Sequence, residues 1–284
     1  MEPLQVQQRI EETCLQDIRL KISAEMDHTY LSAIIMRPTP ERLQLLLGEA
    51  ICKAAGLCKE ETETIVSTLL LIYEGLAIHE EIETLAAHSD ERYRQLGVLA
   101  GAYYSSKYYR LLAKSGQIRL LGQFALAIQS INEAKAELVR VPGDFTLNVE
   151  RYLQLQETIH GTLLHALRAT LLPQGDEWEQ LVSHLIRTSV LKSELDKMTD
   201  PIWQRQAVNL SVWQKANNEE KKWLKVLKSS GGTDHRLQSL YVKYGVSTYL
   251  FSLLEEAASL AEMVMMSLNG LRDELRAIPG HLII

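Results

Sequence analysis

Adjacent aspartates, C-x-x-C pairs, runs of basic residues and long uncharged apolar stretches are all missing from this chain. Cysteine is scarce. Cys14, Cys52 and Cys58 are odd in number, which argues against a disulfide framework and fits reduced thiols packed as small core residues. The most apolar stretch, Thr68 to Ile78, is interrupted by Glu74 and falls far short of the ~20 residues of a membrane-spanning helix, so no transmembrane segment is expected. Formal net charge is −6, with no basic face alternating with aromatics, so the electrostatic source of nucleic-acid binding is lacking and no nucleic-acid partner is expected. A signal peptide needs a basic start and an apolar run, whereas Glu2, Glu11, Glu12 and Asp17 occupy the N-terminal region. The expected location is the cytoplasm.

What is present is a pattern of apolar residues at three- and four-residue steps along 284 residues, with 46% hydrophobic and 23% charged side chains, enough to bury a full core. No stretch alternates over a strand's length between turn residues. The spacing predicts helices over 3–35, 40–56, 60–86, 91–114, 117–139, 148–172, 177–198, 201–229, 233–244 and 246–276. Pro38 and Pro40, Pro142-Gly143-Asp144, Pro173-Gln174-Gly175-Asp176 and Gly231-Gly232 supply the breaks. None is long or polar enough for a domain linker, and no internal repeat or low-complexity tract occurs. The fold class is all-α, a single-domain helical bundle over residues 1–284.

On the third helix, Ile65, Leu69, Ile72, Tyr73 and Leu76 form an inward stripe whose continuation reaches His79, Glu80 and Glu83. Carboxylates at that end of a helix are slightly disfavoured, because the helix dipole prefers cations there. A functional reason for His79, Glu80, Glu81 and Glu83 is therefore sought. Elsewhere, Asp196 and Asp200 share a face at i and i+4, but Lys197 and Pro201 fit a solvated helix end better than a metal site. His160 and His165 are five apart on one predicted helix, slightly more than one turn, which argues against zinc. Met263, Met265 and Met266 are explained most cheaply as core packing.

The segment Ile65 to Gly116 resembles a prenyl diphosphate synthase in which the catalytic carboxylates have changed. Where catalytic relatives carry a His-Asp-Asp-x-x-x-Asp-like run and then Gly-Asp-Tyr, this chain reads His79-Glu80-Glu81-Ile82-Glu83-Thr84 and Gly101-Ala102-Tyr103-Tyr104. In those relatives the aspartates hold magnesium on an allylic diphosphate. Glutamate reaches roughly 1.5 Å further than aspartate, and a misplacement of about 1 Å can cost on the order of a hundredfold in rate. Thr84 replaces the last aspartate, Ser89-Asp90 falls near the relatives' Arg-Arg pair, and Met36-Arg37-Pro38 is a remnant of a cationic diphosphate-binding signature.

The runs IHEEIE, LGVLAGAYYSSKYYRLLAKSG and AIQSINEAKAEL, with LYVKYGVSTYLFSLLEEAASLAEMVMMSL near the C-terminus, resemble the small-subunit family of heteromeric heptaprenyl diphosphate synthases. The resemblance implies an isoprenoid-synthase fold and a non-catalytic auxiliary subunit. A catalytic large subunit would bind the polyprenyl diphosphate and the magnesium, with no cofactor in this chain. The long-chain product would feed menaquinone biosynthesis. It further implies a partner interface on the helices after the acidic run, for which Tyr103, Tyr104, Tyr108, Tyr109, Leu111 and Leu112 are candidates, core packing being the alternative for each. Gly75 and Ala77 occupy positions where relatives control chain length, making them candidates for lining a product cavity. The rival reading is a self-sufficient divergent prenyltransferase or terpene synthase that holds magnesium through Glu80, Glu81 and the Asp196/Asp200 pair.

Overall fold

A computed structural model describes residues 16–28, 42–85, 91–139, 145, 147–199, 205–230, 235–271 and 273–283. The side chains of 79–85, 92–94, 199, 274, 277 and 281–283 fall outside that description. All the regular structure among the described residues is helical, as the apolar spacing predicts. In chain order the helices are α1 (16–26), α2 (Arg42–Ala54), α3 (Lys59–Leu85), α4 (Glu91–Lys114), α5 (Ile118–Val139), α6 (Val149–Leu171), α7 (Asp176–Asp196), α8 (Gln206–Lys215), α9 (Asn218–Ser229), α10 (His235–Lys243), α11 (Val246–Ser267) and α12 (Asp273–Ile283). A single 3-10 turn, Lys197–Thr199, follows α7. No helix among the described residues is long and apolar enough to cross a membrane. The helices fall into two compact units, one from Met1–Ala125 and Ala166–Gln174, the other from Leu126–His165 and Gly175–Ile284.

In the first unit α3 is the central element. Every residue from Ile65 to Ile72 is buried, including Ser67 and Thr68, because α2 and α4 both pack on it. Gly48 lets α2 come close, since a Cβ there would meet the Leu69 side chain at 3.1 Å. Polar pins hold α1 against α3 and α4: Lys59 donates to Asp17 at 2.7 Å, Lys21 donates to Thr64 at 3.0 Å, and Glu25 accepts from Lys107 at 3.2 Å and Arg110 at 2.6 Å. The predicted helix 3–35 is interrupted here, since Asp27 and His28 are not helical. Both α2 and α4 end on a left-handed glycine, Gly56 and Gly116, after which Leu57 donates to the Cys52 carbonyl and Gln117 to that of Leu112.

The second unit is organised around α7 and α11, which lie against one another, with α12 packed on both. Gly161 lets α6 approach α7, where a Cβ would meet Ile186 at 3.2 Å. Across the same helix pair Arg187 binds Glu150 at 3.2 Å and Glu157 at 2.7 Å, and the Tyr152 hydroxyl donates to buried Glu194 at 3.0 Å. Burial raises the Glu157 pKa above its ordinary value despite Arg187, and burial together with Glu194 raises that of Tyr152.

Two predicted boundaries are corrected in this unit. The single helix expected over 201–229 is two, because Asn217 accepts from the backbone N–H groups of Glu219 and Glu220 while the Glu220 side chain accepts from the Asn217 N–H, a reciprocal cap that starts a new helix. The helix expected over 246–276 stops at Ser267, and Arg276 of α12 donates to the exposed carbonyls of Met265 and Leu268 at 3.1 and 2.9 Å.

Glu220 also binds Lys243 at 2.6 Å and the Tyr244 hydroxyl, and these partners with the Asn217 N–H lower its pKa from the ordinary 4.5 to about 2. The folded carboxylate titrates lower than the unfolded one, so its contribution to stability is complete above pH 4.5 and is lost as the pH falls toward about 2. Denaturant melts are expected to show Glu220→Gln less stable than the parent at neutral pH, with the gap closing through that acid window.

Candidate functional site

The acidic run lies in the last turns of α3, whose backbone is helical to Leu85. The side chains of His79, Glu80, Glu81, Glu83 and Thr84 lie outside the described residues, as do Ser89-Asp90, Met36-Arg37-Pro38 and the Tyr93 side chain. The stripe leading to the run is buried at Ile65, Leu69 and Ile72, with Tyr73 and Leu76 half-buried. Glu74, which interrupts the apolar stretch in sequence, is itself buried in this core.

Gly75 and Ala77 differ in setting. Gly75 is buried facing α4, where a Cβ would meet the Tyr104 Cβ at 3.6 Å and the Gly101 carbonyl at 4.0 Å. Both are ordinary van der Waals distances, so α4 lies against this side of Gly75 with room for a methyl group. Ala77 is half-buried.

The six candidates for a partner surface divide by their place on α4. Tyr104, Tyr108 and Leu112 are buried in the chain's own core, which corrects the interface expectation for these three. The Tyr104 hydroxyl donates to the Met26 carbonyl of α1 at 3.3 Å, and burial raises the Tyr108 pKa. Tyr103 is half-buried, its ring edge-on to His28 at 5.1 Å with Lys107 over its face at 5.0 Å, and Leu111 is also half-buried. Tyr109, stacked on Tyr108 at 4.5 Å, is 45% exposed.

Sequence reasoning missed the rest of that outward face. Val98 is 56% exposed, Leu99 61%, and Ile118 at the start of α5 62%. Val98, Ala102 and Tyr109, at i, i+4 and i+11, lie on one side of α4. Attention to tyrosine hid them, although an apolar residue outside the buried 97/101/104/108 series was the available signal.

Among the described residues no group of three His, Cys, Asp or Glu side chains is placed to hold a metal ion. Asp196 is bound to Lys192 at 3.4 Å, and Asp200 lies outside the described residues. His165 has an acidic neighbour, Glu179 of α7 at 3.0 Å, which sequence spacing could not reveal because it comes from another helix. Of the three methionines, only Met265 packs in the core, while Met263 and Met266 are exposed.

A second grouping was also missed. Phe145 and Trp213 stack at 4.4 Å and 8°, with the ammonium groups of Lys221 and Lys225 over the Trp213 ring at 5.5 and 5.6 Å and that of Lys228 over Phe145 at 4.8 Å. A basic face against aromatics, not visible in the sequence, is thus assembled from residues far apart along it.

The fold is that of the polyprenyl synthases. A decaprenyl diphosphate synthase from Rhodobacter capsulatus superposes with a TM-score of 0.78 at 14% identity, covering 97% of each chain. An octaprenyl pyrophosphate synthase from Helicobacter pylori gives 0.76 at 14% identity, covering 96% of this chain and 99% of that one. Residues 28–238 match the model of heptaprenyl diphosphate synthase (HEPPP synthase) subunit 1, and the chain belongs to that family. Heptaprenyl diphosphate synthase component 1 of Geobacillus stearothermophilus is 34% identical over 140 residues, a match spanning 48% of this chain and 60% of that protein.

The α3–α4 contact is tested at Gly75. Gly75→Ala places its Cβ at ordinary contact distance and should be neutral or stabilising by up to about 1 kcal/mol, whereas Gly75→Phe overpacks against Tyr104 and should cost about 1–3 kcal/mol or more in urea melts.

Proposed function

We propose that this chain is the non-catalytic auxiliary subunit of a heteromeric heptaprenyl diphosphate synthase. It pairs in the cytoplasm with a catalytic prenyl diphosphate synthase large subunit, and the long-chain product feeds menaquinone biosynthesis. Family membership supports the pairing, since both matched names designate one part of a heptaprenyl diphosphate synthase.

The observation that carries the reading is the contrast between the two sides of the α3–α4 region. The donor set at the end of α3 fits magnesium poorly, with Thr84 in place of a carboxylate and Ser89-Asp90 where relatives have guanidinium groups. On α4 the cations Lys107 and Arg110 are engaged by Glu25, while Val98, Leu99 and Tyr109 face outward with Ile118 of α5 also exposed. Val98, Leu99 and Ile118 are each little more than half exposed, so full burial of each would gain half of the roughly 1.5–3 kcal/mol of a whole side chain, which suits a partner surface. Magnesium in the large subunit would supply the electrostatic stabilisation of the departing diphosphate. This chain contributes a shaped, apolar docking face.

Incubation of the purified chain with farnesyl diphosphate, isopentenyl diphosphate and magnesium should give no long-chain product until the large subunit is added. Turnover by the chain alone would sink the auxiliary reading. Val98→Asp with Leu99→Asp should leave the melting temperature nearly unchanged and weaken association about tenfold or more in calorimetric titration. Glu80→Ala with Glu81→Ala in the assembled enzyme should retain most of the activity.

A further inference from the structure

Charge is segregated along the chain in a way the auxiliary role does not explain. Between Lys221 and Lys243 six cations, Lys221, Lys222, Lys225, Lys228, Arg236 and Lys243, share the sequence with one acid, Asp234, in a protein whose formal net charge is −6. The helix dipole accounts for Lys225 and Lys228, near the C-terminal end of α9. It does not account for Lys221 and Lys222, at the other end. Like charges three or four residues apart on a helix repel one another. The only acids on α9, Glu219 and Glu220, precede the lysines, and Glu220 is engaged by Lys243, Tyr244 and Asn217.

This unfavourable concentration is built into the structure. The stacked Phe145 and Trp213 rings support Lys221, Lys225 and Lys228, and Arg236 of α10 lies over the Trp223 ring of α9 at 4.8 Å. Phe145 holds a left-handed backbone with φ 47°, a conformation costly for a bulky residue and maintained here under the stack. Lys222 and Lys225 are exposed, and so are two apolar side chains on the same helix pair, Val226 at 69% and Val242 at 83%.

We propose that the α9–α10 face is a docking surface for an anionic membrane, on which the protein lies without spanning it. An acidic protein would also complement the cations, but a protein interface buries a larger apolar centre than two valines supply, whereas a bilayer needs only shallow insertion. A bilayer interface accommodates both: anionic headgroups attract each nearby lysine or arginine, about fivefold in affinity per charge, and short apolar side chains enter the headgroup boundary. The rings hold the lysines in place, so less side-chain freedom is lost on binding.

The test is flotation of the full-length chain with vesicles of phosphatidylcholine alone or phosphatidylcholine mixed with phosphatidylglycerol. Binding is expected only to the anionic vesicles, falling steeply with added salt. Lys222→Glu with Lys225→Glu should lower that binding about thirtyfold or more, and Val226→Ser with Val242→Ser should reduce it by a smaller factor. Arg19→Glu with Arg119→Glu makes the same change in net charge at exposed positions elsewhere and should leave binding within about twofold. All these positions are solvent-facing, and unchanged melting curves would verify folding. Equal binding to neutral and anionic vesicles, equal loss in the Arg19/Arg119 variant, or capture of an acidic protein at this face without vesicle binding would each overturn the proposal.

Discussion

Burial of α3 on almost every side is the constraint that shapes the first unit. An uninterrupted buried stretch from Ile65 to Ile72 leaves this helix no solvent face, so α2 and α4 must both pack on it. Close approach of α2 is granted by Gly48, while α4 crosses at Gly75 in ordinary van der Waals contact. Once α4 is held in that register, its Tyr104 and Tyr108 point inward, and the 3.6-residue period turns Val98, Leu99 and Tyr109 outward. The candidate partner face is thus a by-product of how α3 is buried.

The same packing decides what the cations on α4 do. Glu25 of α1 draws Lys107 and Arg110 of α4 into a partly buried ion-pair cluster, tying that helix's charge to the chain's own structure. Hydrogen bonding to Tyr103 and Glu25 outweighs the opposing effect of burial and raises the Lys107 pKa, so the ammonium stays charged as an anchor for α1. In the second unit Arg187 is similarly engaged, by Glu150 and Glu157. Engaged cations of this kind hold helices together. They are poorly placed to follow a phosphate through a reaction.

Much of this was legible in the sequence because a helical fold writes its core at a fixed period. Helix existence followed from that period, and the family from the order of IHEEIE and the tyrosine-rich run. The break inside 201–229 was legible too, in Asn217 followed three residues later by Glu220, but the apolar positions on both sides kept helical spacing and masked the cap. The last helix was missed because the expected helix ran straight through Gly270, whose left-handed backbone lies between α11 and α12, and stopped short of Pro279, which lies within α12. Individual roles on α4 could not be read, because tyrosine suits a core and an interface equally and only the neighbouring helix decides. The Phe145–Trp213 stack and the His165–Glu179 pair depend on distant segments meeting, which no local pattern encodes.

One carboxylate, that of Glu220, closes the cap at the start of α9 and fastens the end of α10 through Lys243 and Tyr244. Neither helix can fray past that point without releasing the other. Opening at the start of α9 and opening at the end of α10 are thereby coupled across 23 residues of sequence.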